Sequence, residues 1–107
     1  MIQTEASTEL KRALRACFVT LGAAVTFEAV ASRPWASIIF SGERHRVALC
    51  LPGPGAQAAV DAFLDGLADR EFALRGHILA DIEAAGVQRD GDGQIRLMLE
   101  ALTVEDS

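Results

Sequence analysis

The sequence predicts an α+β domain: a two-layer sandwich in the order α-β-β-β-α-β-β, with a mainly antiparallel five-stranded sheet and both helices on one face. Three observations carry this prediction. Two stretches repeat apolar residues at helical spacing, and five others alternate at strand spacing. The connections are short, which favours antiparallel neighbours. Two helices cover one face of such a sheet, so the other face is left for solvent or a partner.

Thr4 to Leu21 reads as the first helix, because Leu10, Leu14, Cys17 and Leu21 recur on one face. Glu5 and Glu9 come early and Lys11, Arg12 and Arg15 late, which suits the helix dipole, and Gly22 is a natural stop. Val25 to Ala31 alternates as a strand, with Val25, Phe27 and Ala29 on one side, and Arg33-Pro34 breaks it. Trp35–Ser41 and Arg44–Leu51 then flank Gly42-Glu43, a two-residue loop with the type II′ hairpin signature. That turn pairs Phe40 with His45, Ile38 with Val47 and Ala36 with Leu49 on an apolar face. It puts Ile39 with Arg46, and Trp35 with Cys50, on the other.

Pro52-Gly53-Pro54-Gly55 ends this hairpin and leads into a second helix, Ala56 to Asp69, whose inner stripe is Ala59, Val60, Phe63 and Leu67. Phe72 to Glu83 is the fourth strand, with Phe72, Leu74, Ile78, Ala80 and Ile82 inward. Ala84 to Gly93 reads as a loop that ends in turn-forming Asp90-Gly91-Asp92-Gly93. Gln94 to Thr103 is the fifth strand, with Ile95, Leu97, Leu99 and Ala101 inward. The tail Glu105-Asp106-Ser107 is expected to fray.

With 107 residues, half of them apolar, the chain predicts a single domain over 1–107. A net charge of −5 argues against a duplex nucleic-acid binder, which needs a dense positive stripe. No apolar run spans a bilayer and the first residues lack the pattern of a cleavable signal, so a cytoplasmic protein without membrane contact is expected. Cys17 and Cys50 read as small buried hydrophobes of a reducing compartment.

Several motifs resemble chemistry without completing it. Gly53-Pro54-Gly55-Ala56-Gln57-Ala58 fits a phosphate-loop pattern, but Pro54 removes a backbone donor and the preceding strand belongs to a hairpin. Asp90-Gly91-Asp92-Gly93-Gln94-Ile95 resembles part of a calcium loop, yet Gln88 and Leu99 stand where two principal ligands belong. Asp61, Asp65 and Asp69 form a solvated stripe on the second helix. No metal site and no cofactor are expected: two histidines lack ligand spacing with either cysteine.

The expected site is the open sheet face. Alternation places Trp35, Ile39, Leu79 and Met98 there, among Arg46, Arg75 and Arg96, a composition typical of contact surfaces. His77 joins them, with Glu28, Asp81 and Glu100 on the same side. The first functional expectation is a non-catalytic interaction or dimerisation module that binds itself or another protein, a homodimer being the simplest form. The alternative is a small-molecule sensor or enzyme in which His77 accepts a proton while Arg75 or Arg96 holds an anion.

Arg33-Pro34-Trp35-Ala36-Ser37, Phe40-Ser41-Gly42-Glu43-Arg44-His45-Arg46, Leu74–Ile82 and Leu99–Asp106 resemble segments of small bacterial α+β proteins that have no known activity. The resemblance implies a stand-alone bacterial domain and carries over no catalytic residue.

Overall fold

Thr4 starts the first helix with a reciprocal cap. Its hydroxyl accepts from the Ser7 backbone N–H, and the Ser7 hydroxyl accepts from that of Thr4, both at 3.1 Å. The computed structural model describes residues 3–106. Its elements are α1 (Glu5–Thr20), β1 (Thr26–Ala36), β2 (Ser41–Leu51), α2 (Ala56–Asp65), β3 (His77–Arg89) and β4 (Ile95–Glu105). The class is α+β, but the described residues form four strands, all antiparallel, in the order β1-β2-β4-β3.

The fifth expected strand disappears because Arg33-Pro34 does not break the chain. Val25–Ala31 and the start of Trp35–Ser41 merge into β1, which lies at the sheet edge. An edge strand pairs on one side only, so a proline without an N–H is tolerated there. The hairpin then turns at Ser37–Phe40 rather than at Gly42-Glu43. The Ser37 N–H donates to the Phe40 carbonyl at 2.7 Å, and Ala36 pairs with Ser41.

Gly42 is needed inside the strand instead. It stands opposite Trp35, and a Cβ there would run into the Thr103 carbonyl and come within 3.0 Å of Trp35 Nε1. The indole therefore lies against a glycine gap in β2. This register leaves Ile38, Ile39 and Phe40 exposed at the hairpin tip.

The other boundary corrections have similar causes. The second helix stops at Asp65, and after Gly66 the chain continues as a 3₁₀ turn, Leu67–Asp69. Phe72 and Leu74 pack against the core from irregular chain rather than from a strand. β3 starts at His77, after a turn at Gly76 (φ 73°), and runs to Arg89. Ala84–Arg89, expected to be a loop, pairs with β4 through its backbone although its side chains are exposed. The Asp90–Gly93 segment is a tight hairpin turn, with the Gly93 N–H on the Asp90 carbonyl at 3.2 Å. Glu105 belongs to β4 and accepts from the Ser41 hydroxyl at 2.7 Å; Ser107, at the end of the tail expected to fray, lies outside the described residues.

The core lies between the helices and one sheet face. Leu10, Leu14 and Phe18 of α1 meet Ala59, Val60 and Phe63 of α2 over Val47, Leu49, Leu97 and Leu99. Phe18 and Phe63 stack with ring centroids 4.5 Å apart. Gly53 and Gly55, with φ of 74° and 90°, form the turn into α2. With every strand antiparallel, this phosphate-like pattern has no parallel βαβ frame. No helix of the described residues is long and apolar enough to cross a membrane.

Candidate functional site

Directly paired residues of antiparallel strands point to the same face, so the register maps the face opposite the helices. It is a grid of rows read across β1, β2, β4 and β3. The row nearest the hairpin tip is Trp35, Gly42, Val104 and Ile78. Arg33, Arg44, Leu102 and Asp81 follow, then Ala31, Arg46, Glu100 and Glu83. Beyond them come Ala29, Ala48, Met98 and Gly86, and finally Thr26, Cys50, Arg96 and Gln88.

The charges in the two middle rows are divided by strand. Arg33, Arg44 and Arg46 occupy the β1–β2 half; Glu100, Asp81 and Glu83 occupy the β4–β3 half. Between the halves lies a groove of about 470 Å³ lined by all six. Among the described residues only one ion pair closes it, Arg46 to Glu100 at 3.2 Å. Arg33 stands opposite Arg44, and Glu100 opposite Glu83. Like charges directly opposite destabilise a sheet. Among the described residues Arg33, Arg44, Asp81 and Glu83 form no salt bridge. Arg33 and Asp81 lie on opposite edge strands, three strand spacings or about 14 Å apart, too far to neutralise each other.

The expected site residues divide between locations. Trp35, Arg46, Arg96 and Met98 lie on the open face, and Trp35 is half-buried there rather than sealed in the interior. Ile39 is at the hairpin tip, 78% exposed. Arg75 is in the turn before β3, its N–H on a Glu9 carboxylate oxygen at 2.9 Å. His77 and Leu79 point to the helix side, which corrects their expected placement. The cause is a bulge: Ala80 is an extra residue between the pairs Leu79–Thr103 and Asp81–Leu102. A bulge inverts the alternation on one side of it, so Ile78 turns outward and Leu79 inward while Asp81 and Ile82 keep their expected sides.

His77 and Arg96 thus lie on opposite faces. His77 Nδ1 lies 3.0 Å from the Arg75 carbonyl oxygen, so it carries the proton, and no carboxylate hydrogen-bonds the ring among the described residues. Arg96 is held by Glu28 at 2.6 and 3.3 Å, and this hydrogen bond lowers the Glu28 pKa. Glu28 is itself a bulge residue of β1. The pair reaches across β2 at Cys50, whose thiol burial pushes up in pKa. Both cysteines are free.

A polar cluster unforeseen from the sequence lies on the helix side. His45 is 1% exposed. Thr103 Oγ1 donates to the Glu43 carbonyl at 3.4 Å and so accepts from His45 Nε2–H at 2.9 Å. Nδ1 then accepts from the Ser32 hydroxyl at 2.7 Å. Burial lowers the His45 pKa, opposed by the nearby Glu43 charge, so the ring is neutral. A serine hydroxyl on a neutral imidazole is half of a nucleophilic pair, but a threonine stands where a carboxylate would orient the ring. The cluster pins β1, β2 and β4 together. Parity places His45 on the apolar face with Val47 and Leu49, all buried; the register that brings Ser32 and Thr103 to its ring is what the sequence does not express.

Arg33, Arg44 and Glu83 were also missed as site residues. Arg33 was read as part of a strand break, and the other two became significant only when strand order brought them to one groove. No cluster of described residues could hold a metal ion. No family model, curated protein or solved structure matches the chain, so the resemblance to small bacterial proteins adds no residue role.

Proposed function

We propose that this chain is a non-catalytic protein-interaction module and that the helix-free face of its sheet is the docking surface. The observation that carries the reading is the set of uncompensated charges on that face. Arg33 beside Arg44, and Glu83 beside Glu100, cost stability in the isolated chain. Such arrangements persist where a partner supplies the missing counter-charges. The rows that flank the charges, Trp35 with Ile78 on one side and Met98 on the other, supply the contact area that charges alone do not. No cofactor is required. Two free thiols suit a reducing cytoplasm, the compartment we assign.

Site-specific photo-crosslinking in cells tests the reading. A photoreactive residue replaces Ala31 or Met98 on the face, or Asp61 on the outside of α2. Protein adducts are expected from the two face positions and none from Asp61. A face that yields no protein adduct from either position overturns the docking surface, and a small-molecule role for the groove then takes its place.

A further inference from the structure

We infer that the partner on this face is a second copy of the same chain, docked face to face about a two-fold axis running along the strands. The inference rests on the docking reading and names its occupant. Two sheets that meet face to face about a two-fold axis place that axis in the plane between them. For aligned packing it runs close to the strand direction or close to its perpendicular. The grid distinguishes these two arrangements.

An axis across the strands reverses the order of the rows. The central row then meets itself, placing Arg46 on Arg46 and Glu100 on Glu100 of the second copy. The apolar row of Trp35 meets the Arg96 row. Such juxtapositions oppose association. An axis along the strands keeps each row and exchanges the two edges. Arg33 then faces Asp81 of the second copy, and Arg46 faces its Glu100. Trp35 meets Ile78, apolar on apolar, and Ala29 and Ala48 meet Gly86 and Met98.

Four of the five rows therefore gain a matched contact under one rotation, while Arg44 meets Leu102, Glu83 meets Ala31 and Cys50 meets Arg96. A surface shaped for a foreign protein has no reason to match itself row by row. An isologous interface must do so, because every contact in it occurs twice. Aligned sheets pack about 30° apart, so the axis lies about 15° from the strand direction. The groove does not prevent the approach, since the long arginine side chains of one copy project into the groove of the other.

The expected area is modest. Five rows at about 7 Å and four strands at about 4.8 Å give a footprint on the order of 500 Å² per copy, near the lower limit for a specific interface. Self-association is therefore read at about 100 µM chain as well as at lower concentration.

Charge exchange tests both the occupant and the axis. Arg33→Glu and Asp81→Arg are each expected to weaken self-association at least tenfold in sedimentation equilibrium, while circular dichroism shows both variants folded. An equimolar mixture of the two is expected to form a heterodimer, because only the mixed pair places opposite charges at both copies of the contact. The double variant Arg33→Glu/Asp81→Arg is expected to recover the homodimer. Single variants that associate as wild type, or a mixture that stays monomeric, overturn the proposed axis. A wild-type chain that is monomeric at about 100 µM overturns the second copy as occupant. Crosslinks from Ala31 to a different protein do the same but leave the docking surface standing; loss of all face crosslinks removes the docking surface as well.

Discussion

The two faces of the one sheet handle charge in opposite ways. On the helix side, His45 is buried, neutral and hydrogen-bonded at both ring nitrogens, between Ser32 and Thr103. One residue away on either side along β2, Arg44 and Arg46 are exposed on the open face, and Arg44 has no salt bridge among the described residues. The His45 cluster is hydrogen-bonded within the monomer, whereas Arg33, Arg44, Asp81 and Glu83 of the open side form no salt bridge among the described residues. The difference shows how to separate a structural polar cluster from a functional one: count partners, not polar residues.

Four measurements sharpen or break this contrast. Leu49 is fully buried under both helices, so Leu49→Ala is expected to destabilise the fold by about 3 kcal/mol in urea unfolding. Met98→Ala, on the other face, should cost well under half of that; equal losses would mean that the open face is also a core. Gly42→Ala is expected to cost about 2 kcal/mol and to shift the Trp35 fluorescence, because the added methyl collides with backbone and with the indole. Unchanged fluorescence would remove Gly42 as the seat of the tryptophan.

The third test uses pH. His45 is neutral in the fold and its pKa lies below the ordinary value of about 6.5, so the unfolded chain takes up the proton first. Stability is fully present above that pH and is lost as pH falls from about 6.5 toward the folded-state value. His45→Gln should flatten that part of the profile; a slope identical to wild type would assign it to other groups. The smallest effect is the most discriminating. Arg33→Glu turns a like-charge cross-strand pair into an opposite one, so the monomer is expected to gain a few tenths of a kcal/mol while self-association falls. Stability and association falling together would contradict the idea that these charges are kept for a contact.

Much of the open face was legible despite a misplaced hairpin. The expected turn at Gly42-Glu43 pairs Phe40 with His45, whereas the structure pairs Ser32 with it, a register difference of eight residues. Because eight is even, the parity of β2 was unchanged and Trp35 and Arg46 still fell on the open face, but Ile38 and Phe40, expected inward, became exposed at the tip, and the bulge at Glu28 turned Ala29 outward. The single-residue bulge at Ala80 had the larger consequence for the site, since an odd insertion moved Leu79 and His77 to the helix side. Nothing in Ile78–Ile82, an alternating apolar run, marks that bulge locally.

The sequence alone determined the α+β class, both helices, the inward rows of β2 and β4, and the presence of an uncovered face. These follow from local periodicity and from the ratio of helix to sheet, which any short window of residues expresses. Only the tertiary structure decided the strand order β1-β2-β4-β3, the position of the first hairpin turn and the division of charge across the groove. Those depend on contacts between residues as distant in sequence as Arg46 and Glu100, where neither partner's neighbours encode the other.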